Sequence, residues 1–501
     1  MRFFSPRFLF RSDGSRAGGD AKYSHPDISA DIKSAKDSVL HPTTRVSMAR
    51  VVAGWGFGAA FTNVTSGAIY TAFARALGAN DFAFGVLAAA LPAMSFLQIL
   101  AAKLVEHSGK RKRQVLIAGL IGRGLWALAA TLPLVSQAYP ELIGSQHLLA
   151  FVIGAILLAG AFQAFSTPAF FSWMADLVPS RVRPTFFASR MRFGTWVAVL
   201  TTIVSGLIAD HYSSLNVYCI LLALAGVCGM LDIAYLIGVR EPETNAETNV
   251  KPSRTSPPIW EMVSVPLRET AIRRFLLFVS ILMFSYGLQG PFLWLHALEY
   301  LHLSKTLTGL LLAGVPLVAI ASTTRFWGDV LRRYGNRPVM RFASMGIALA
   351  SVGWLIARPG AWDVLPFLLF ASGAMAGALE LANQNLITGL SPHVPRSSLA
   401  AMFSISAGVS FAVAAWLGGA LAQAFVWINN SGLDWFGMPI VNYHMLFLIS
   451  LALRLFNATF VAPRLHEPEA VSTIATVKEV FPELAQAFAA RFTRPLGVRE
   501  D

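Results

Sequence analysis

Twelve apolar runs, nearly all long enough to cross a lipid bilayer, leave this 501-residue chain few folds to choose from. They lie at residues 51–76, 83–105, 114–136, 147–171, 193–209, 213–239, 275–298, 305–324, 339–357, 364–388, 399–427 and 443–463. One helical crossing takes about 20 residues. Composition agrees, with 55% hydrophobic and 13% charged residues, where an ordinary soluble domain carries about a quarter charged. The expectation is an all-α, integral multi-pass membrane protein with twelve transmembrane helices and both termini on one side.

The net charge of +13 invites a nucleic-acid reading, so its distribution matters. Most Lys and Arg of the membrane region fall in the even-numbered loops between Lys103 and Arg396, whereas the odd-numbered loops hold Arg75, Lys305 and Arg358. This is the positive-inside asymmetry, which assigns both termini to the cytoplasm and fits a bacterial inner membrane. Such short loops cannot build the continuous basic face that nucleic acid needs, so no nucleic-acid partner is expected. Cys219 and Cys228 share one predicted helix about 13 Å apart along its axis, too far for a disulfide. No metal site is implied. Met1–Phe10 is broken by Pro6 and Arg7 and lacks the apolar core of a secretory signal.

A short charged stretch occurs once in each half, between the second and third runs of six. The first copy is Glu106-His107-Ser108-Gly109-Lys110-Arg111, and the second is Arg332-Arg333-Tyr334-Gly335-Asn336-Arg337. The chain therefore reads as one six-helix unit written twice, an N-terminal bundle at 47–240 and a C-terminal bundle at 271–465, which is a transporter layout. Residues 1–46 and a linker at 241–270 are polar and aperiodic, and read as disordered cytoplasmic segments. In the tail, 466–501, Ile474, Val477, Phe481, Leu484 and Phe488 recur at helical steps, which predicts an amphipathic helix.

The loop from Gly328 to Pro338 resembles the inter-helix signature of the Major Facilitator Superfamily, and the stretch Ala102–Arg111 is similar to it. A second repeated loop carries the same resemblance, with Leu177-Val178-Pro179 and Arg183 in one half and Leu390-Ser391-Pro392 and Arg396 in the other. The segment from Trp173 to Pro179 is also similar to a bacterial branch of that superfamily. The resemblance implies two pseudo-symmetric bundles that move a small solute by alternating access as a monomer. It also implies that Glu106, Gly109, Arg111, Arg333, Gly335 and Arg337 form gating loops. The second copy departs from the pattern, with Arg332 where the family has an acid. Membrane lipids are expected partners, and an ion gradient, with protons as the candidate ion, is the expected energy source.

Ionisable residues within the spans point to cavities or partners, because each costs a few kcal/mol in lipid. Arg123 and Asp232 sit at comparable depth on the third and sixth spans and form a candidate structural ion pair. Glu380 shares a face of the tenth span with Gly373, Gly377, Asn383 and Gln384, and is the candidate proton-coupling group unless Arg454 holds it in an ion pair. The candidate substrate-binding residues are Asn63, Ser66 and Tyr70 on the first span, Gln163 and Ser166 on the fourth, Ser285, Gln289 and His296 on the seventh, and Asn383 and Gln384 on the tenth. Glu299 extends the seventh-span stripe, and Pro291 there removes a backbone donor. For His296 and Glu299 an interfacial pair at the outer surface is the competing reading. Bonding between helices is the competing reading for the uncharged groups.

No phosphate-binding loop of the Gly-x-x-x-x-Gly-Lys-Ser/Thr type occurs, so ATP-driven pumping by this chain is not expected. Neither a His-Glu-x-x-His zinc motif nor a Gly-x-Ser-x-Gly nucleophile turn is present, and the chain reads as neither an enzyme nor a cofactor protein. The alternative to a secondary transporter is a transport-inactive relative acting as a receptor, sensor or assembly factor. The departure at Arg332 and the long termini keep it open.

Overall fold

The computed structural model describes residues 42–142, 144–179, 182–241, 264, 266–389, 396–435 and 438–465. The predicted amphipathic tail helix, nearly all of the N-terminal segment and most of the linker lie outside the described residues. What is described is almost wholly helical. The N-terminal half comprises α1 (Pro42–Ser66, continued by Ala68–Ala76), α2 (Asp81–Ala93, continued by Leu97–Ser108), α3 (Arg111–Ala138), α4 (Ser145–Leu177), α5 (Arg183–His211) and α6 (Leu215–Tyr235). The C-terminal half comprises α7 (Thr270–Leu295), α8 (Lys305–Gly309, continued by Val315–Tyr334), α9 (Asn336–Ser351), α10 (Leu365–Gly389), α11 (Arg396–Ala424) and α12 (Asn442–Phe456). A two-residue ladder, β1 (Asp434–Trp435) against β2 (Met438–Pro439), lies between α11 and α12.

Eleven of these helices are long and apolar enough to cross a membrane. The twelfth crossing is α1. It starts at Pro42, ahead of the apolar run, because proline is tolerated in a first helical turn, and its ladder breaks at Gly67. The face that holds the start of α1 and the end of α12 is the terminal face, and the opposite one is the distal face. Local chemistry fixes the turns. At the distal face, the side chains of Asn80, Ser214 and Ser304 accept backbone N–H groups at the starts of α2, α6 and α8, as good N-caps do. At the terminal face, Gly109 ends α2 at φ +64° and Gly335 joins α8 to α9 at φ +87°, a conformation that favours glycine. The α7 helix continues through Pro291 and changes to a π-helical turn at His296–Tyr300.

Two helix pairs make the most extensive contacts between the halves, α2 with α11 and α5 with α8. Both depend on small residues. A Cβ at Gly85 would lie 2.6 Å from the Ala415 carbonyl oxygen, and one at Gly206 would lie 2.6 Å from the Thr306 Cα.

The hydrophobic core is shared at one end and divided at the other. At the distal end a single cluster runs through both halves, from Phe73, Trp126 and Leu222 to Phe292, Leu446 and Phe447. Toward the terminal face the halves have separate cores, one around Met48, Trp173 and Ile233 and one around Phe275, Trp327 and Ile347. Exposed Leu100, Ile121, Phe151, Leu200, Leu224 and Phe367 make an apolar exterior suited to lipid.

Replacing Gly85 by Val should cost about 1–3 kcal/mol, because the added atoms meet backbone that cannot yield. The expected readout is a lower melting temperature of the purified protein. An unchanged melting temperature would mean that α2 and α11 do not approach this closely.

Candidate functional site

The joined distal end contains two polar clamps, each with a carboxylate of the N-terminal half. In the first, Arg75 at the end of α1 pairs with Asp81 at the start of α2 and, at 2.6 Å, with Glu299 beyond α7. Tyr443 of α12 accepts from Arg75 at 2.8 Å, and its hydroxyl reaches Glu299 at 2.8 Å and Asp81 at 3.1 Å. Asn442 donates its side-chain amide to Asp81 at 2.7 Å. In the second clamp, Asp210 of α5 accepts the Lys305 and Thr306 backbone N–H groups at 2.7 and 3.0 Å and the Thr306 hydroxyl at 2.7 Å. A carboxylate of one half thus caps the first turn of a helix in the other, where the helix dipole favours negative charge.

The candidate residues of the seventh span do not face the space between the halves. Ser285, Gln289 and His296 are buried against α12. Ser450 donates to the Ser285 carbonyl at 2.8 Å and lies 3.2 Å from the Gln289 side-chain oxygen. His444 accepts the Val441 backbone N–H at Nδ1 and lies 3.2 Å from His296 Nε2. Its Nε2 therefore donates, which leaves the proton of His296 on Nδ1, a buried atom without an acceptor among the described residues. The competing reading, an interfacial pair of His296 with Glu299, does not form: His296 lies in a buried histidine pair and Glu299 in the Arg75 clamp.

Other candidates separate by environment. Tyr70 is buried against Trp126, with its hydroxyl 3.4 Å from the Leu87 carbonyl. Asn63 ties α1 to α5 through the Thr202 hydroxyl at 2.6 Å. Ser66 is exposed and bonds back to the Thr62 carbonyl. On α10, Glu380 and Gln384 are exposed and hydrogen-bonded to each other at 2.8 Å, whereas Asn383 is buried. Glu380 has no ion pair with Arg454, which is buried on α12 against the hydroxyls of Ser285 and Ser351, with its guanidinium 4.6 Å from the Tyr286 ring centre.

Gln163 and Ser166 line a cavity inside the N-terminal half, bounded also by Trp55, Arg123, Thr167, Phe170, Arg190 and Asp232. Arg123 and Asp232 stand 3.8 Å apart there. Nothing in the sequence marks Arg190, which stands ahead of the fifth apolar run among basic residues that read as a loop. The helix begins at Arg183, ten residues before the apolar run, and carries Arg190 into the bundle.

At the terminal face, Arg111 pairs with Asp176 at the end of α4. The Glu106 side chain, expected to be the acid of this loop, lies outside the described residues. Arg183 donates to the Ala175 and Val178 carbonyls, and Lys112 to the Ile237 and Val239 carbonyls, so both cap helix ends. In the second half Arg332 pairs with Asp329 beside it, and Asn336 accepts from Asn385 at 3.0 Å. This amide–amide hydrogen bond joins the start of α9 to the end of α10; in the first half an ion pair joins α3 to α4.

A family model described as Major Facilitator Superfamily matches residues 51–359 and 275–496. No curated protein matches the chain significantly. Among solved structures, a point mutant of the nucleoside transporter NupG superposes with a TM-score of 0.65 at 12% identity, over 84% of this chain and 100% of that one. A bacterial homologue of the human lysosomal transporter Spinster, in an inward-facing and occupied conformation, gives 0.63 at 13% identity, over 86% and 99%. A D-xylose–proton symporter gives 0.59 at 15% identity, over 83% and 97%. At these identities the superpositions establish the fold.

Replacing Arg123 by Met should cost about 3 kcal/mol, because buried Asp232 loses its ion-pair partner and is left only with Arg190, which lies beyond ion-pair distance. Adding Asp232→Leu should recover most of that loss, as read from melting temperatures. Equal losses in the single and double variants would show that the pair is not coupled.

Proposed function

Because the chain belongs to the Major Facilitator Superfamily, we propose that this secondary transporter carries a small solute by alternating access between its two halves. The observation that carries this reading is the core that is continuous at the distal end and divided toward the terminal face. Such an arrangement is one end-state of a rocking motion about a midplane site. Lys110, Arg111, Lys112, Arg113, Arg332, Arg333 and Arg337 lie at the terminal face, and by the positive-inside rule that face is cytoplasmic, in a bacterial inner membrane. The state is then open inward and closed outward.

Within that reading, Glu380 is the coupling group. It is exposed in the middle of a membrane helix, and a carboxylate at that depth is tolerated only against water or a partner. Gln384 is its hydrogen-bond partner, and neither Arg454 nor another cation holds it in an ion pair among the described residues. The coupled proton is assigned to this carboxylate. Ser66, Gln163, Ser166 and Gln384 supply neutral hydrogen-bonding groups for a polar solute. The protein works as a monomer, since each chain contains both halves.

Reconstituted vesicles test this. Wild-type protein should accumulate its solute when a pH gradient is imposed. Glu380→Gln should abolish accumulation but retain exchange of labelled for unlabelled solute. Equal accumulation by both proteins would remove the proton role of Glu380. Transmembrane flux that fails for every solute in a broad metabolite panel would contradict the transport reading.

A further inference from the structure

The cavity enclosed by α1, α3, α4, α5 and α6 holds two guanidinium groups and one carboxylate. Asp232 offsets Arg123, 3.8 Å away. Arg190 has no ion pair or hydrogen bond among the described residues. Its guanidinium instead lies 4.0 Å from the ring centre of Trp55 and 5.3 Å from that of Phe170. Arg190 Nε and Arg123 Nη1 are buried with no acceptor. Buried N–H groups of this kind are costly to leave unsatisfied, and a group with acceptor oxygens would satisfy them. The cavity carries one positive charge more than it neutralises.

Its walls define what else could enter. Trp55, Phe170 and Phe171 are aromatic, and Gln163, Ser166 and Thr167 offer neutral polar groups. Trp55 is seven and eleven residues before the exposed Thr62 and Ser66, so all three share one face of α1. Phe171, which is exposed, stands at the rim of the cavity.

We propose that this cavity binds a small organic monoanion, an aromatic carboxylate, with its oxygens on Arg190 and Arg123 and its ring against Trp55, Phe170 and Phe171. A planar guanidinium fits a carboxylate with two parallel hydrogen bonds. The excess positive charge disfavours a cation, and the aromatic walls give an inorganic anion nothing to pack on. The assignment of this ligand as the transported solute rests on the transport reading above, whereas its binding does not.

Binding of radiolabelled benzoate to the purified protein in lipid nanodiscs tests the proposal, with benzamide, benzylamine and sulfate as competitors. Benzoate should bind saturably, and the other three should displace it poorly. Arg190→Gln should weaken benzoate by about tenfold or more, the loss expected when one hydrogen bond to a charged group is removed. Competition by benzamide or benzylamine as strong as by unlabelled benzoate overturns the proposal, as does sulfate binding equally well. An unchanged affinity in folded Arg190→Gln also overturns it. Should that variant fail to fold, the comparison of benzoate with benzamide on wild-type protein decides alone. Flux of a neutral solute without benzoate binding would overturn this site and leave the transport reading standing. Benzoate binding without flux of any solute would support the site and remove the transport reading.

Discussion

Two carboxylates of the N-terminal half, Asp81 and Asp210, hold the C-terminal half at the distal face, and the shape of the molecule follows from them. Asp210 accepts two further backbone N–H groups in the first turn of α8, beside the cap that Ser304 supplies. Asp81 collects Arg75, Asn442 and Tyr443, so three helices from both halves converge on one buried group. Such groups are polar enough to separate into water and strong enough to bind when water is excluded. The apolar core beneath them, from Phe73 to Phe447, is continuous only because the clamps and the small residues of α2, α5 and α11 let the halves touch.

The fold was legible because its signals are long-range patterns. Twelve apolar runs, the alternation of basic loops and two copies of one charged stretch are properties of whole segments, insensitive to any single side chain. The site was less legible, because helix rotation decides which side chains meet. The stripe of Ser285, Gln289 and His296 is a true helical face, but it turns toward α12 and satisfies Ser450 and His444. Periodicity identifies a polar face without saying what it meets.

The charged groups show the same division. Arg123 and Asp232 lie at one depth within the same half of the chain, and that makes their pairing legible in the sequence. Asp81 and Tyr443 lie 362 residues apart, at the edges of apolar runs where polar residues are ordinary, so nothing local marked them. Arg190 was hidden because the apolar run begins later than the helix that carries it. For Arg111, the acidic partner is Asp176 at the end of α4, although Asp176 was visible within the Trp173–Pro179 segment.

The central claim is that the distal clamps hold one of two states that exchange by rocking. Spin labels on a background with Cys219 and Cys228 replaced by Ala would measure it directly. One pair at Tyr139 and Ala361 would span the distal face, and one at Lys110 and Arg332 would span the terminal face. By double electron–electron resonance, wild-type protein should give a short distal and a long terminal distance. Arg75→Gln should add a second population in which the distal distance lengthens as the terminal one shortens. Distances that change at one face alone, or at neither, would contradict the account.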